Sequence, residues 1–152
     1  MAKTIDNFAQ FKSAVAGFSD ELEEQANDFK AMLALKIVQL VTEMSPIDTG
    51  LYKGNWLAEI NHPDMRELKT PDKDGERTAA RATSKIDSAQ PGEDIWITNN
   101  KVYAPFLEFG TEHMAPRRIL GRALALVDQI GKRPRRGLRS AKKLTGRAGR
   151  RR

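Results

Sequence analysis

The chain of 152 residues contains no cysteine, only two histidines, two tryptophans and two tyrosines, and no run approaching the 18 apolar residues of a membrane span. The absence of cysteine excludes disulfides, thiolate metal sites and cysteine nucleophiles, and it fits a protein made in a reducing cytoplasm. His62 and His113 are too few for a His-rich metal site and read as ordinary surface histidines on loop segments. Met1-Ala2-Lys3-Thr4-Ile5 carries neither an apolar signal region nor a lipidation motif, which predicts no export by the usual secretory route. There is also no glycine-rich phosphate loop, no HExxH, no Gly-x-Ser-x-Gly and no heptad-patterned basic region. Nothing in the sequence therefore marks an enzyme, and no cofactor is expected.

The length suits one domain with tails. Apolar residues make up 39% and charged residues 30%, so only the middle of the chain is rich enough to build a core. The net charge of +6 conceals a division. Residues 1–131 hold fifteen basic and twenty acidic side chains, a balance of −5, whereas residues 132–152 hold eleven basic and none acidic. The two parts call for different partners.

Phe8, Phe11, Val15 and Phe18 recur at helical spacing and predict a short first helix, capped by Thr4 or Asp6 and either ended or weakened at Gly17. A stronger pattern runs from Asp20 through Leu22, Ala26, Phe29, Leu33, Ile37, Leu40 and Met44, with Asp20 and Glu23 resembling a capping box. Its first half is acidic and reads as a solvated face. Residues 31–41 are apolar nearly all round, which predicts cover on more than one side. Ser45-Pro46-Ile47-Asp48-Thr49-Gly50 stops this helix.

A strand is expected in 51–62, with Tyr52, Trp56, Ala58 and Ile60 on one face and Gly54 either a bulge or a place of close backbone approach. Residues 94–100 form a second candidate, apolar on both faces and so expected to be central in its sheet. Residues 63–93 read as a long loop excursion with a weak helix near 77–89, ordered on assembly. Tyr103–Thr111 allows a short helix with Pro105 in its first turn and Gly110 at its end, and a last helix spans about 117–130, burying Leu120, Ala123, Val127 and Ile130. The fold class is α+β.

Three islands carry a resemblance. Ser45–Gly50, including Pro46, Asp48, Thr49 and Gly50, is followed by Gly54-Asn55-Trp56. Residues 95–110 contain Asn99, Asn100, Tyr103, Ala104, Leu107, Glu108 and Gly110 in the order strand-Asn-Asn-x-x-Tyr-Ala-x-x-Leu-Glu-x-Gly. Asp72 or Asp74 with Gly75, and Ala115-Pro116, fall between and after them. Over roughly residues 30–130 the chain resembles the tail-component or neck group of long-tailed bacteriophages, the tail-completion and head–tail joining proteins. The resemblance implies a long helix packed on a small antiparallel sheet, and copies assembled as a ring between the head connector or adaptor and the tail terminator or tail tube. Arg117-Arg118-Ile119-Leu120 is more basic than the family pattern.

Asp48-Thr49-Gly50 also occurs at the catalytic loop of aspartic proteases, where paired carboxylates activate water. Here the triplet follows a long helix and no matching strand pattern, so the sequence favours a helix-stop turn in which Asp48 and Thr49 bond to local backbone. Trp56 and Trp96 read as core residues, and Asn99 and Asn100 as strand-ending residues bonded locally. Glu108, amid Phe106, Leu107 and Phe109, needs a partner, for which an Arg of the last helix or of a neighbouring subunit would serve.

The basic tail comprises Lys132, Arg133, Arg135, Arg136, Arg139, Lys142, Lys143, Arg147, Arg150, Arg151 and Arg152. With only Leu138 and Leu144 to bury, it is expected to be disordered alone in water. Nonspecific contact with packaged DNA, docking on acidic surfaces of adjacent ring proteins, and a solvated tail without a partner all stay open. The alternative to a neck subunit is a small nonspecific DNA-binding protein that uses this tail.

Overall fold

A computed structural model describes residues 2–132, with side chains from residue 9 onward. The basic segment 133–152 lies outside the described residues. Five helices and two strands follow in the order α1 (Ala2–Met44), α2 (Leu51–Gly54), β1 (Trp56–Ile60), α3 (Glu76–Asp87), β2 (Ile95–Asn99), α4 (Ala104–Phe109) and α5 (Ile119–Lys132). The architecture is α+β, as the sequence predicts: a long helix, an antiparallel sheet and a C-terminal helix.

The two helices expected before Met44 are one. Helix α1 runs 43 residues without a break at Gly17. An exposed glycine costs a helix about 1 kcal/mol relative to alanine, too little to end one whose neighbours are good helix formers. Asp20 and Glu23 are consequently interior rather than capping residues.

The second half of α1 is covered on two sides, as its apolar circumference requires. Ala34 and Val38 pack with Ala58 of β1 and with Ala82 and Ile86 of α3. Val41 packs with Tyr52, Trp56, Ile119 and Ala123, flanked by Ile37, Leu40 and Met44. Ile97 touches both clusters, so the sheet joins the two halves of the core.

Residues 51–54 are helical, not the start of a strand. Gly50 adopts φ 75°, the chain turns, and the Gly54 N–H closes a helical turn on the Gly50 carbonyl at 3.0 Å. The strand begins at Trp56 and pairs antiparallel with β2 in the register Trp56↔Asn99 to Ile60↔Ile95. Because the sheet has two strands, β2 is an edge rather than a centre. Its outward face is left uncovered, and Trp96 is 45% exposed, whereas Trp56 is buried as expected.

The weak helix expected near 77–89 is α3, and because it packs into the core the stretch 63–93 is not a bare loop excursion. Helix α3 buries Thr78, Ala82 and Ile86, four residues apart on one face, against α1 and β1. So few and such small apolar residues give a weak signal in sequence, yet they suffice because α1 and β1 leave a shallow place for them. Helix α4 starts with Pro105 in its first turn and ends at Gly110 with φ 80°. Helix α5 begins at Ile119, just after Arg118 in a left-handed conformation (φ 50°), and continues through Gly131 instead of stopping there.

Candidate assembly surface

The helix-stop turn is built from backbone geometry. A side chain on Gly50 would need positive φ and would place its Cβ 2.8 Å from the Lys73 backbone nitrogen. The Gly50 carbonyl accepts hydrogen bonds from Gly54 and Asp72, each at 3.0 Å. Thr49 Oγ1 accepts from the Leu51 N–H at 3.2 Å, the local bond expected of it, while Asp48 is exposed on the turn. Pro46 is half-buried beside them. Gly54 is a point of close approach: a Cβ there would lie 3.0 Å from the Thr70 carbonyl.

One side chain then ties the 61–75 connection to the helical turn that follows Gly50, and two carboxylates order the connection itself and join it to α3. Asn55, fully buried, donates to the Leu51 and Leu68 carbonyls at 2.6 and 2.8 Å and accepts from the Leu68 N–H at 2.7 Å. Asp72 accepts from the Thr78 N–H (2.8 Å), the Thr78 hydroxyl (2.7 Å) and the Gly75 N–H (3.2 Å). Burial opposes ionisation of Asp72, but these bonds from Thr78 and Gly75, with one from the Arg77 backbone, outweigh it and hold the carboxyl below its ordinary range. Asp64 is pulled down to about 2, first by its hydrogen bond with the Arg66 guanidinium at 2.6 Å, which overcomes the effect of burial.

At the far end of β2 the paired asparagines bridge to distant segments as well as bonding locally. Asn99 donates to the Tyr52 carbonyl at 3.0 Å and accepts from the Lys101 N–H at 3.2 Å. Asn100 donates to the Asp64 and Arg66 carbonyls at 2.6 and 2.8 Å. Local strand ending is thus half the account, because the 61–68 connection lies alongside β2 with unpaired carbonyls to satisfy. Tyr103 lies 6.0 Å from the Tyr52 ring, which meets Trp56 edge-on at 5.8 Å. Burial, with Glu108 and Tyr103 nearby, pushes Tyr52 up to about 12.

Glu108 finds its partner in the last helix, but the partner is backbone and not an arginine. Its two carboxylate oxygens accept from the Leu120 and Gly121 N–H groups of the first turn of α5, at 3.0 and 2.8 Å. Those amides have no intrahelical acceptor, and the positive end of the helix dipole suits a carboxylate. Ala104 and Leu107 pack under α4 against the Val41–Trp56 cluster. A Cβ on Gly110 would fall 2.7 Å from the Met114 carbonyl, so the tight return to α5 requires glycine.

Trp56 and Leu107 thus meet at the joint between α1, β1, α4 and α5, where Asn99 holds the Tyr52 carbonyl and Glu108 holds the start of α5, while Asn55 and Asn100 hold the 61–68 connection. Sequence reasoning did not single out Arg81, whose guanidinium reaches from α3 to the Gly54 and Trp56 carbonyls at 2.9 and 3.1 Å. Nothing local distinguishes it from Arg77, the other arginine of 77–89. Its burial lowers its pKa, because the charged form is desolvated there.

Outside the joint, α4 presents Phe106 and Phe109, 52% and 80% exposed, beside exposed Val102 and Tyr103. Arg117 and Arg118, also exposed, lie along this shoulder, where the Arg117 N–H donates to the Leu107 carbonyl at 2.9 Å. Of the basic tail, only Lys132 is described, and it pairs with Asp128 at 2.5 Å. Among the described residues no group of three or more His, Asp or Glu side chains could hold a metal ion, and no helix is long and apolar enough to cross a membrane. His62 and His113 are exposed. Comparison with protein-family models, with curated proteins and with solved structures returns no match for this chain.

Proposed function

We propose that the chain is a structural virion protein of a long-tailed bacteriophage, a tail-completion or neck subunit that assembles as a ring between the head connector and the tail. The observation that carries the reading is how the motif residues are used. Asn55, Asn99, Asn100 and Glu108 spend their polar atoms on backbone groups of their own chain. Residues used in this way hold segments of their own chain together, as the wall of an assembly requires. Meanwhile the α4 shoulder, Phe106 and Phe109 with Arg117 and Arg118, offers an apolar surface with a basic edge, of the kind enriched at protein contacts. A head-to-tail contact through such a surface closes into a ring when its rotation permits.

In this account the protein acts without catalysis and without a cofactor. Its partners are further copies of itself, the connector or adaptor on one side and the tail terminator or tail tube on the other. Assembly takes place in the bacterial host cytoplasm and the product resides in the virion neck. The basic tail contacts packaged DNA or acidic surfaces of neighbouring ring proteins.

A second reading is favoured by one observation, the eleven basic and no acidic residues of 132–152. Such a segment neutralises many phosphates, and its binding to DNA would fall steeply with salt. Light scattering and negative-stain imaging of the intact chain, with and without duplex DNA at low and physiological salt, separate the two. Rings that form with or without DNA at physiological salt are expected of a neck subunit. A monomer that coats DNA and releases it steeply with salt would replace the neck reading with the DNA-binding one.

A further inference from the structure

The longest element of the fold is only half used. From Ala34 onward α1 is built into the core, but residues 9–26 are exposed at every position. Most helical stability in proteins comes from packing an apolar face, and this stretch, weakened at Gly17, leaves its large apolar side chains in water. Its stability calls for packing that the described residues of the same chain do not supply.

The pattern of the exposed side chains says what kind of packing. Among the described residues, the large apolar side chains that α1 exposes are Phe11, Val15, Phe18, Leu22 and Met32. All five fall on the two seam positions of a heptad repeat: Val15 and Leu22 on the first, Phe11, Phe18 and Met32 on the second, with half-buried Phe29 also on the first. A continuous seam of this period is met by another helix.

Charge and spacing select which helix. The intervals from Phe11 to Leu22 are four, three and four, so the seam reads the same in both directions. Turned antiparallel, Phe11 faces Leu22 of a second copy and Val15 faces Phe18, each layer combining one residue from each seam position. The charges agree. Asp20, Glu21, Glu23, Glu24 and Asp28 crowd the C-terminal side of this half-helix, and Lys12 lies on its N-terminal side. A parallel pair would stack acid on acid, whereas the antiparallel pair brings Lys12 alongside the partner's acidic stretch.

We infer that residues 9–26 of α1 form an antiparallel two-helix coiled coil with the same segment of a second copy of this chain, through Phe11, Val15, Phe18 and Leu22. The contact is isologous, with the same patch on both copies, and it is separate from the α4 shoulder. It stands on the helix alone and holds whether or not the chain is a neck subunit. The rival occupant within the chain, segment 133–152, complements the acidic residues but brings only Leu138 and Leu144 to four large seam positions.

The absence of native cysteine makes the test direct, because any introduced cysteine is the sole thiol of its chain. Full-length Phe11→Cys and Leu22→Cys proteins are mixed, left to exchange, oxidised, and the linked peptides identified by mass spectrometry. The expected result is an 11–22 linkage in the mixture and little linkage in either protein alone. Phe18→Glu, placed on the exposed arm, is expected to abolish pairing while leaving the buried Trp56 fluorescence unchanged. Linkage of 11 to 11 or 22 to 22 would overturn the antiparallel arrangement. Failure of the mixture to link, or loss of the pair on deleting 133–152, would overturn pairing through the arm itself.

Discussion

The Trp56 indole N–H donates to the Ser45 hydroxyl at 2.9 Å, and that hydroxyl donates in turn to the Val41 carbonyl at 2.5 Å. This short relay joins the first residue of the helix-stop turn to the first residue of β1, and it uses the last turn of α1 as its anchor. All three residues are buried. The relay explains why a serine sits where α1 stops: its hydroxyl both satisfies a helix carbonyl and receives the indole.

Replacing Ser45 with alanine leaves a buried indole N–H without an acceptor, which costs about 1–3 kcal/mol. Thermal or urea unfolding followed by Trp56 fluorescence is expected to show that loss with little change in the folded spectrum. An unchanged midpoint would mean that the relay contributes nothing to holding α1 on β1.

Glu108→Ala removes the acceptor for two first-turn amides of α5, a capping loss of roughly 0.5–2 kcal/mol. Glu108→Gln keeps an oxygen acceptor and is expected to retain much of the stability. Unfolding midpoints of the two variants, compared with the parent, check the order. If alanine and glutamine were equally tolerated, the carboxylate would have no capping role.

The acid limb of stability follows from Asp64 and Asp72. Both carboxyls are held below their ordinary values in the fold, so the folded state binds their protons less readily than the unfolded chain does. Their contribution is complete above about pH 4, the unfolded range. It drains away as the pH falls, for Asp64 towards about 2. Asp64→Asn is expected to flatten this limb in a pH series of denaturant midpoints, and an unaltered limb would contradict the account of the 61–68 connection.

The alkaline limb belongs to Tyr52, whose hydroxyl titrates at about 12 in the fold against its ordinary value of 10.0. Above pH 10 the unfolded chain loses this proton while the folded one keeps it, so stability falls with rising pH, by up to about 1.4 kcal/mol per pH unit. Tyr52→Phe is expected to remove that slope between pH 10 and 12. A slope identical in the variant would assign it to other groups.

Much of the frame is legible in the sequence because it follows from local chemistry. The heptad-like run to Met44, the stop at Pro46 and Gly50, the Pro105 start and Gly110 end of α4, and the Ala123–Val127 stripe of α5 are all written in spacing and turn residues. What was illegible depends on partners distant in sequence. Residues 51–54 lead directly into the alternating run of β1 and read as its start, yet the Gly50 geometry winds them into a helical turn. Residues 76–87 have too few apolar groups to announce a core helix, and they become one because α1 and β1 cover Ala82 and Ile86. At the joint, the need of Glu108 for a partner was readable, but its answer, the start of α5, is set by the chain reversal between Gly110 and Ile119.

The central claim is that this chain is an assembly subunit whose α4 shoulder meets further copies. Its most direct test is the mass of the intact protein in solution over a range of concentrations, compared with that of a Phe106→Glu/Phe109→Glu double variant. The account predicts that the parent grows beyond pairs into closed particles, while the variant stops at the pair held by its α1 arms and keeps a folded Trp56 signal. A parent that never exceeds a pair, or a variant that assembles as the parent does, would contradict it.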